Sequence, residues 1–296
     1  MTEPHRIFDS ALLAARRNRV AADARAHDFL LERVAADLTE RLAIVRREFP
    51  VALDAGSHHG LLGRQIAALP HVGEVVSFDP ALTLLSAAPA PRVLGSFDAL
   101  PFATASLDLC VSGLALHLVD DLPGALLQIR HALKPDGLLL AALLGGQTLQ
   151  ELREAWLAAE DEVLGGASPR VAPFADVRDL GSLLQRAGFA LPVVDADIVT
   201  VTYADPLALM RDVKGMGASN MLTDRRRVPV TRRLLLRAAE IYASRFAIDE
   251  TGRVPATFEI LTLTAWAPHE SQPKPLRPGS AKTRLADALG VPERKL

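Results

Sequence analysis

Two acids and a glycine turn carry the clearest chemistry in this chain. Val51-Ala52-Leu53-Asp54 ends an apolar run, Ala55-Gly56-Ser57-His58-His59-Gly60 follows, and Asp79 closes a second apolar run 25 positions after Asp54. A carboxylate at such a strand end can accept hydrogen bonds from both hydroxyls of a ribose, while the glycines let backbone approach a ligand at a helix N-terminus. Hydrogen bonds to a charged group contribute ~1.5–3 kcal/mol each, so loss of Asp79 is expected to weaken a ligand by one or two orders of magnitude. The competing reading of Asp79 is a cap before Pro80. His58 stands at the middle position of the glycine triplet, so the motif speaks more firmly for a fold than for a ligand.

Other reactive side chains give weaker signals. His58 and His59 are adjacent on a turn and rarely both reach one ion; no Cys/His/Glu cluster has ligand spacing, so no metal site is expected. His117 reads equally as a histidine facing a substrate cavity and as a buried, hydrogen-bonded one. Cys110, the single cysteine, lies in the apolar run Leu107 to Val111 and reads as core, with no internal disulfide available. Met210 and Met216 suit a cleft lining or simple gap-filling. No side chain stands out as a catalytic base.

These groups need a scaffold, and the periodicity supplies an α/β one. Ser10 to Ala26 and His27 to Phe49 predict two helices. Short strands are expected at Val51 to Leu53, Val75 to Phe78, Arg92 to Leu94, Leu107 to Ser112 and Leu138 to Leu143. Helices at Leu61 to Leu69 and Pro123 to Leu133 separate them, and Lys134-Pro135-Asp136-Gly137 reads as a turn before the fifth strand. Alternating strands and helices predict a parallel sheet covered on both faces. Helices at Thr148 to Ala159 and Asp176 to Ala187 follow, then an edge strand at Val193 to Tyr203. Two inserted helices, Leu207 to Val213 and Thr231 to Phe246, precede a final strand at Phe258 to Trp266. The sum is a doubly wound, mostly parallel seven-stranded sheet whose last strand is antiparallel. The expected organisation is an N-terminal helical segment over 1–49, a main domain over 50–268 with its insertion near 205–250, and a loosely ordered tail over 269–296.

Composition sets outer bounds. The 296 residues carry a net charge of −2, which argues against a nucleic-acid partner. Only five residues are lysine, arginine supplying nearly all the positive charge. No apolar run reaches the ~18 residues of a membrane span. Asp9, Asp23 and Asp28 interrupt an arginine-rich start that would otherwise resemble a mitochondrial presequence. A cytoplasmic protein is expected, or a matrix one in a eukaryote.

Five segments in order resemble the class I S-adenosylmethionine-dependent methyltransferases: Leu53 to Gly60, Phe78-Asp79-Pro80, Leu100-Pro101-Phe102, Ser106 to Ser112, and Leu133-Lys134-Pro135-Asp136-Gly137. The resemblance implies a Rossmann-like methyltransferase fold and S-adenosylmethionine as cofactor. It places the cofactor against Asp54, Gly56, Ser57, His58, Gly60, Asp79, Pro80, Ser96, Phe97, Asp98, Ser112 and Leu114. Two departures predict weakened binding. His58 replaces a glycine at a close approach, at a cost of ~1–3 kcal/mol in backbone strain. Ser96 replaces the acid that reads the adenine amino group; Phe97 is placed to stack on adenine, and Asp98 lies two residues on.

A narrower resemblance spans nearly the whole chain: Ile7-Phe8-Asp9, Gly145 to Arg153, Asp179-Leu180-Gly181, Gly215 to Asn220, Val254 to Phe258 and His269 to Pro273. It is to the branch holding the mitochondrial complex I assembly factor described as a protein-arginine hydroxylase. The malonyl-carrier-protein O-methyltransferases of biotin synthesis are its neighbours. The branch implies a protein substrate, such as a complex I subunit, modified by arginine hydroxylation or methylation, and leaves room for peripheral membrane association. The alternatives are a non-catalytic assembly chaperone with a decayed cofactor pocket and a carrier-protein or small-molecule O-methyltransferase.

Overall fold

The strands of the protein, seen in a computed structural model that describes residues 6–248 and 251–273, are β1 (Phe49–Ala55), β2 (Val72–Asp79), β3 (Arg92–Leu94), β4 (Leu107–Gly113), β5 (Leu133–Leu144), β6 (Ala190–Tyr203) and β7 (Val254–Trp266). They form one sheet in the order β3-β2-β1-β4-β5-β7-β6. β1 to β5 pair in parallel, and β7 runs antiparallel to both β5 and β6. The order reverses between β1 and β4, and a crevice opens there at the strand C-termini.

Local sequence accounts for several helix starts. The helices are α1 (Ser10–Val20), α2 (Phe29–Ala43), α3 (Leu61–Ile66), α4 (Leu82–Ser86), α5 (Leu122–Ala132), α6 (Gln150–Leu164), α7 (Val177–Arg186), α8 (Pro206–Gly215) and α9 (Arg232–Phe246). Asp9, Asp121, Asp176 and Asp205 each accept a backbone N–H of the helix they precede, at 2.7–3.0 Å. Such caps contribute about 1 kcal/mol apiece. Pro123 and Pro206 occupy first-turn positions where no N–H is needed.

Burial divides the sheet's faces. Ala52, Leu109, Val111 and Leu140 pack with α2, α3, α6 and α9 on one side; Leu53, Cys110, Leu139 and Leu263 pack with α5 and α7 on the other. All seven positions of β4 are buried, as a central strand's continuous apolar run requires. β6, at the edge, alternates exposed and half-buried positions.

Three expectations change. The second helix stops at Ala43, and Phe49 instead opens β1, where its side chain is fully buried. The segment from Ala21 to Asp28 breaks the N-terminal helices, with a 3-10 turn at Ala24–His27. Lys134 to Gly137 lies inside β5 as an irregularity: Leu133 pairs Leu107, Leu138 pairs Leu109, and Asp136 takes φ 62°. Ion pairs explain that detour, because Lys134 Nζ meets Asp108 at 2.9 Å and Asp136 pairs with Arg47. The start of the expected loose tail is held by Gln272, whose Nε2 donates to Asp136 at 2.8 Å and to the Ala267 carbonyl at 2.9 Å. Residues 274–296 of that tail lie outside the described residues.

Candidate functional site

The glycine turn leaves β1 tightly bound to β2. Gly56 and Ser57 both donate their N–H to the Phe78 carbonyl, at 2.8 and 2.9 Å. Gly56 takes φ +78°, and a Cβ there would run into the Ala115 methyl, so this position excludes any larger residue on two grounds. Gly60, at φ +83°, begins α3 against Ala88 and Pro89. His58 is also left-handed, at φ 52°, a region histidine enters more readily than most side chains. Its ring crosses to β4, with Nε2 3.0 Å from the Gly113 carbonyl. Burial and the nearby Arg17 guanidinium push its pKa down to about 3, so the ring is neutral.

Both acids are wholly buried. Asp54 Oδ2 accepts the Gly63 N–H at 2.9 Å, while Oδ1 has no partner. Burial drives the Asp54 carboxyl up to about 7, opposed by the Gly63 hydrogen bond and aided by the charge of Asp79. Asp79 accepts the His58 N–H at 3.0 Å and the Ala81 N–H at 2.7 Å. It thus caps the turn around Pro80. Burial raises its pKa, and Arg17 works against the rise.

Arg17 is the residue sequence reasoning missed. It comes from α1, is 5% exposed, and brings its guanidinium 3.8 Å from Asp79 Oδ2. That is an ion contact without a hydrogen bond, and burial lowers the Arg17 pKa. A buried guanidinium whose five donors lack close acceptors is costly unless something supplies them. The only sequence signal was its place in an arginine-rich helix. Its access depends on Gly217 in the loop after α8, where a Cβ would press on Arg17 Cγ at 3.2 Å. Gly215 similarly makes room for the His27 ring. The glycines of the insertion therefore seat the N-terminal segment.

Arg17 lines a narrow cavity with Pro80, Ser96, Phe97, Asp98, Ala115 and Leu118. Ser96 and Asp98 are exposed, and the Ser96 hydroxyl accepts the Asp98 N–H at 3.2 Å. Phe97 is buried edge-to-face on Phe78, with centroids 5.3 Å apart. Ser57 lies on the turn with its hydroxyl buried and unpartnered. Ser112 donates its hydroxyl to the Ala55 carbonyl at 2.6 Å, which ties β4 to β1. Leu114, at φ 53°, packs in the core with α2 and α3. Asp108 and Lys134 to Gly137, though part of the resemblance, lie at the opposite strand ends from the crevice.

A second cavity of ≈ 530 Å³ adjoins the first at Leu118. Its walls come from α1, α6, α8, α9 and β7, and include Trp156, Phe174, Met210, Met216 and Phe258. Here His117 lies edge-to-face on Phe174 at 5.6 Å, with Nδ1 buried and unpartnered, and burial lowers its pKa to about 3. Both methionines are thus cavity residues. Cys110 is fully buried in the core. Among the described residues no three His, Cys, Asp or Glu side chains converge as a metal site would require, and no helix is long and apolar enough to cross a membrane.

Comparison with known proteins places this geometry. Residues 53–141 match a methyltransferase domain model. The chain is 39% identical over 287 residues to the zebrafish protein named arginine-hydroxylase NDUFAF5, mitochondrial, covering 95% of this chain and 89% of that one. The human protein of the same name is 39% identical, with 95% and 83% covered. The malonyl-[acyl-carrier protein] O-methyltransferase of Gallionella capsiferriformans is 31% identical, with 93% and 96% covered. Among solved structures, a methyltransferase of Bacillus halodurans superposes with a TM-score of 0.57 at 17% identity, over 79% of this chain and 99% of that one. The fold is therefore the Rossmann-like methyltransferase fold, and the chain belongs to the methyltransferase-superfamily family that contains NDUFAF5.

Proposed function

We propose that the protein binds S-adenosylmethionine at the crevice between β1 and β4, at the strand C-termini, and modifies a partner protein during assembly of respiratory complex I. One observation carries the cofactor assignment: buried polar groups without hydrogen-bond partners gather around the glycine turn. Asp54 Oδ1 and Ser57 Oγ lack partners, and the Arg17 guanidinium has only the 3.8 Å contact. Buried polar groups in native proteins are nearly always satisfied, so such a cluster marks the seat of a polar ligand. An amino-acid zwitterion suits this set. Asp54 and Ser57 would accept from its ammonium, Arg17 would take its carboxylate, and Asp79 would accept from the ribose hydroxyls. Gly56 keeps the backbone open for that approach.

When bound, the cofactor supplies an electrophilic methyl group. This chain's residues then bind, orient and exclude water, which is where positional catalysis acts. Hydroxylation of a partner arginine, whose oxygen atom and two-electron oxidation would have to come from an oxidant such as dioxygen supplied from outside this chain, is the reaction that the name of the 39%-identical relatives supports, and methyl transfer the one the fold supports. His58 and Ser96 would weaken cofactor binding. The His58 ring bridges the turn to Gly113, and the Ser96 hydroxyl is an exposed, shared acceptor.

Calorimetry with S-adenosylmethionine tests the cofactor step, and absence of heat at millimolar ligand would sink it. Pull-down from the native host, with mass spectrometry of arginines on captured subunits, tests the partner. Identical arginine modification in a deletion strain refutes that part alone.

A further inference from the structure

The N-terminal strap from Arg6 to Val20 closes the proposed cofactor seat from outside. Ser10, Leu13 and Arg17 form one wall of the narrow cavity, against Phe97, Ala115 and Asp120. That cavity holds only ≈ 50 Å³, whereas small-molecule sites take roughly 300–1,000 Å³. Asp54 Oδ1 and Ser57 Oγ are buried without partners. A ligand of nucleoside size does not fit while α1 stays in place.

The strap is weakly anchored in apolar surface. Of the 11 residues of α1, only Leu13 and Arg17 are buried. Leu13 and Phe8 pack with Ala172, Met221 and Leu222 in a small cluster, separate from the two that hold the sheet. Polar ties do much of the holding. Asp120 Oδ1 accepts the Ile7 and Phe8 N–H at 2.8 and 2.7 Å. The Asp9 N–H donates to the Met221 carbonyl at 2.8 Å and the Thr223 N–H to the Ile7 carbonyl at 2.9 Å. Asp9 also pairs with Arg225 at 3.0 Å. A segment with few buried apolar contacts opens more easily than the whole molecule unfolds. We infer that the strap and the loop Met221 to Arg225 form a clasp whose release, with the sheet intact, admits and discharges S-adenosylmethionine. Arg17 makes closure respond to the ligand: a carboxylate beside its guanidinium supplies the close acceptor that Asp79, at 3.8 Å, does not. The inference rests on the proposed cofactor seat and adds the route by which a ligand reaches it.

The test uses the full chain with S-adenosylhomocysteine as probe. By hydrogen exchange, α1 amides should exchange at least about a hundredfold faster than those of β4, and slow about tenfold when the probe is bound. Phe8 and Leu222 face each other as an antiparallel bridge pair. Such pairs stand about 4.5 Å apart at the backbone, a spacing that a disulfide spans. In F8C/L222C, oxidation should slow both association and release of the probe about tenfold or more in stopped flow, and reduction should restore them. Asp120→Ala removes the acceptor of two strap N–H groups and should speed release. Melting curves of the reduced variants verify their fold. Equal rates in oxidised and reduced protein, unchanged release in Asp120→Ala, or α1 exchange as slow as that of β4 overturns the inference. If the probe binds and oxidation changes nothing, the clasp alone fails and the cofactor reading stands. If the wild type does not bind the probe at all, the cofactor reading fails and the clasp's role falls with it.

Discussion

Asp54 offers the sharpest test of the site, because its ionisation and ligand binding should be coupled. Its carboxyl is fully buried and held near pKa 7 chiefly by desolvation, with Oδ1 unpartnered. A ligand ammonium at Oδ1 supplies the missing counter-charge and should return the pKa toward or below the ordinary value near 3.8. At pH 6 about nine-tenths of the unliganded carboxyl is protonated, so binding should release about 0.9 proton. At pH 8 the release should fall to about 0.1 proton. Affinity should strengthen roughly fivefold between pH 6 and pH 7, reach about tenfold by pH 8, and level off above that. Calorimetry with S-adenosylhomocysteine in buffers of different ionisation enthalpy measures the protons directly. Asp54→Asn keeps an acceptor for the Gly63 N–H and should remove most of the proton release. Asp79, also raised by burial, leaves a smaller remainder. Binding with no proton release at pH 6, or an unchanged release in the Asn variant, refutes the placement of the ligand's cation at Asp54.

The same shift acts on the unliganded protein with a definite sign. A carboxyl raised in the folded state favours folding at low pH, so stability attributable to Asp54 should be lost as pH rises from about 4 to about 7. The melting-temperature difference between wild type and Asp54→Asn should change across that window and stay flat above pH 8. Gly56→Ala meets both the Ala115 methyl and a φ of +78°. It should lose about 2–4 kcal/mol and roughly 5–10 °C of melting temperature. Adding Ala115→Gly should restore only the steric part; full recovery would show that the left-handed backbone costs nothing. Cys110 is fully buried and its thiol is pushed up by burial, so Ellman's reagent should react only as fast as the protein unfolds. Rapid labelling under native conditions would contradict that packing.

Much of the scaffold follows from local signals. The apolar run of β4 and the alternation along β6 state their own structures, because burial on two faces or on one face selects different residues. Phe49 was misplaced because a lone apolar residue after a helix carries no period of its own. Lys134 to Gly137 has turn chemistry, and only its ion pairs with Asp108 and Arg47 show that it is a detour inside a strand.

For the site, the sequence by itself carried the glycine turn and the positions of Asp54 and Asp79 at the ends of two apolar runs, since such runs read as strands whatever surrounds them. It also contained the glycines of the insertion without showing their purpose. Tertiary structure decided the rest. Folding α1 over the crevice carries Arg17 to Asp79, commits Ser112 to a strand carbonyl, and turns Arg16, Lys214 and His117 into walls of one cavity. Those residues are separated by up to about two hundred positions along the chain, and no periodicity encodes such contacts. They arise from which faces bury apolar surface together, a property of the packed molecule.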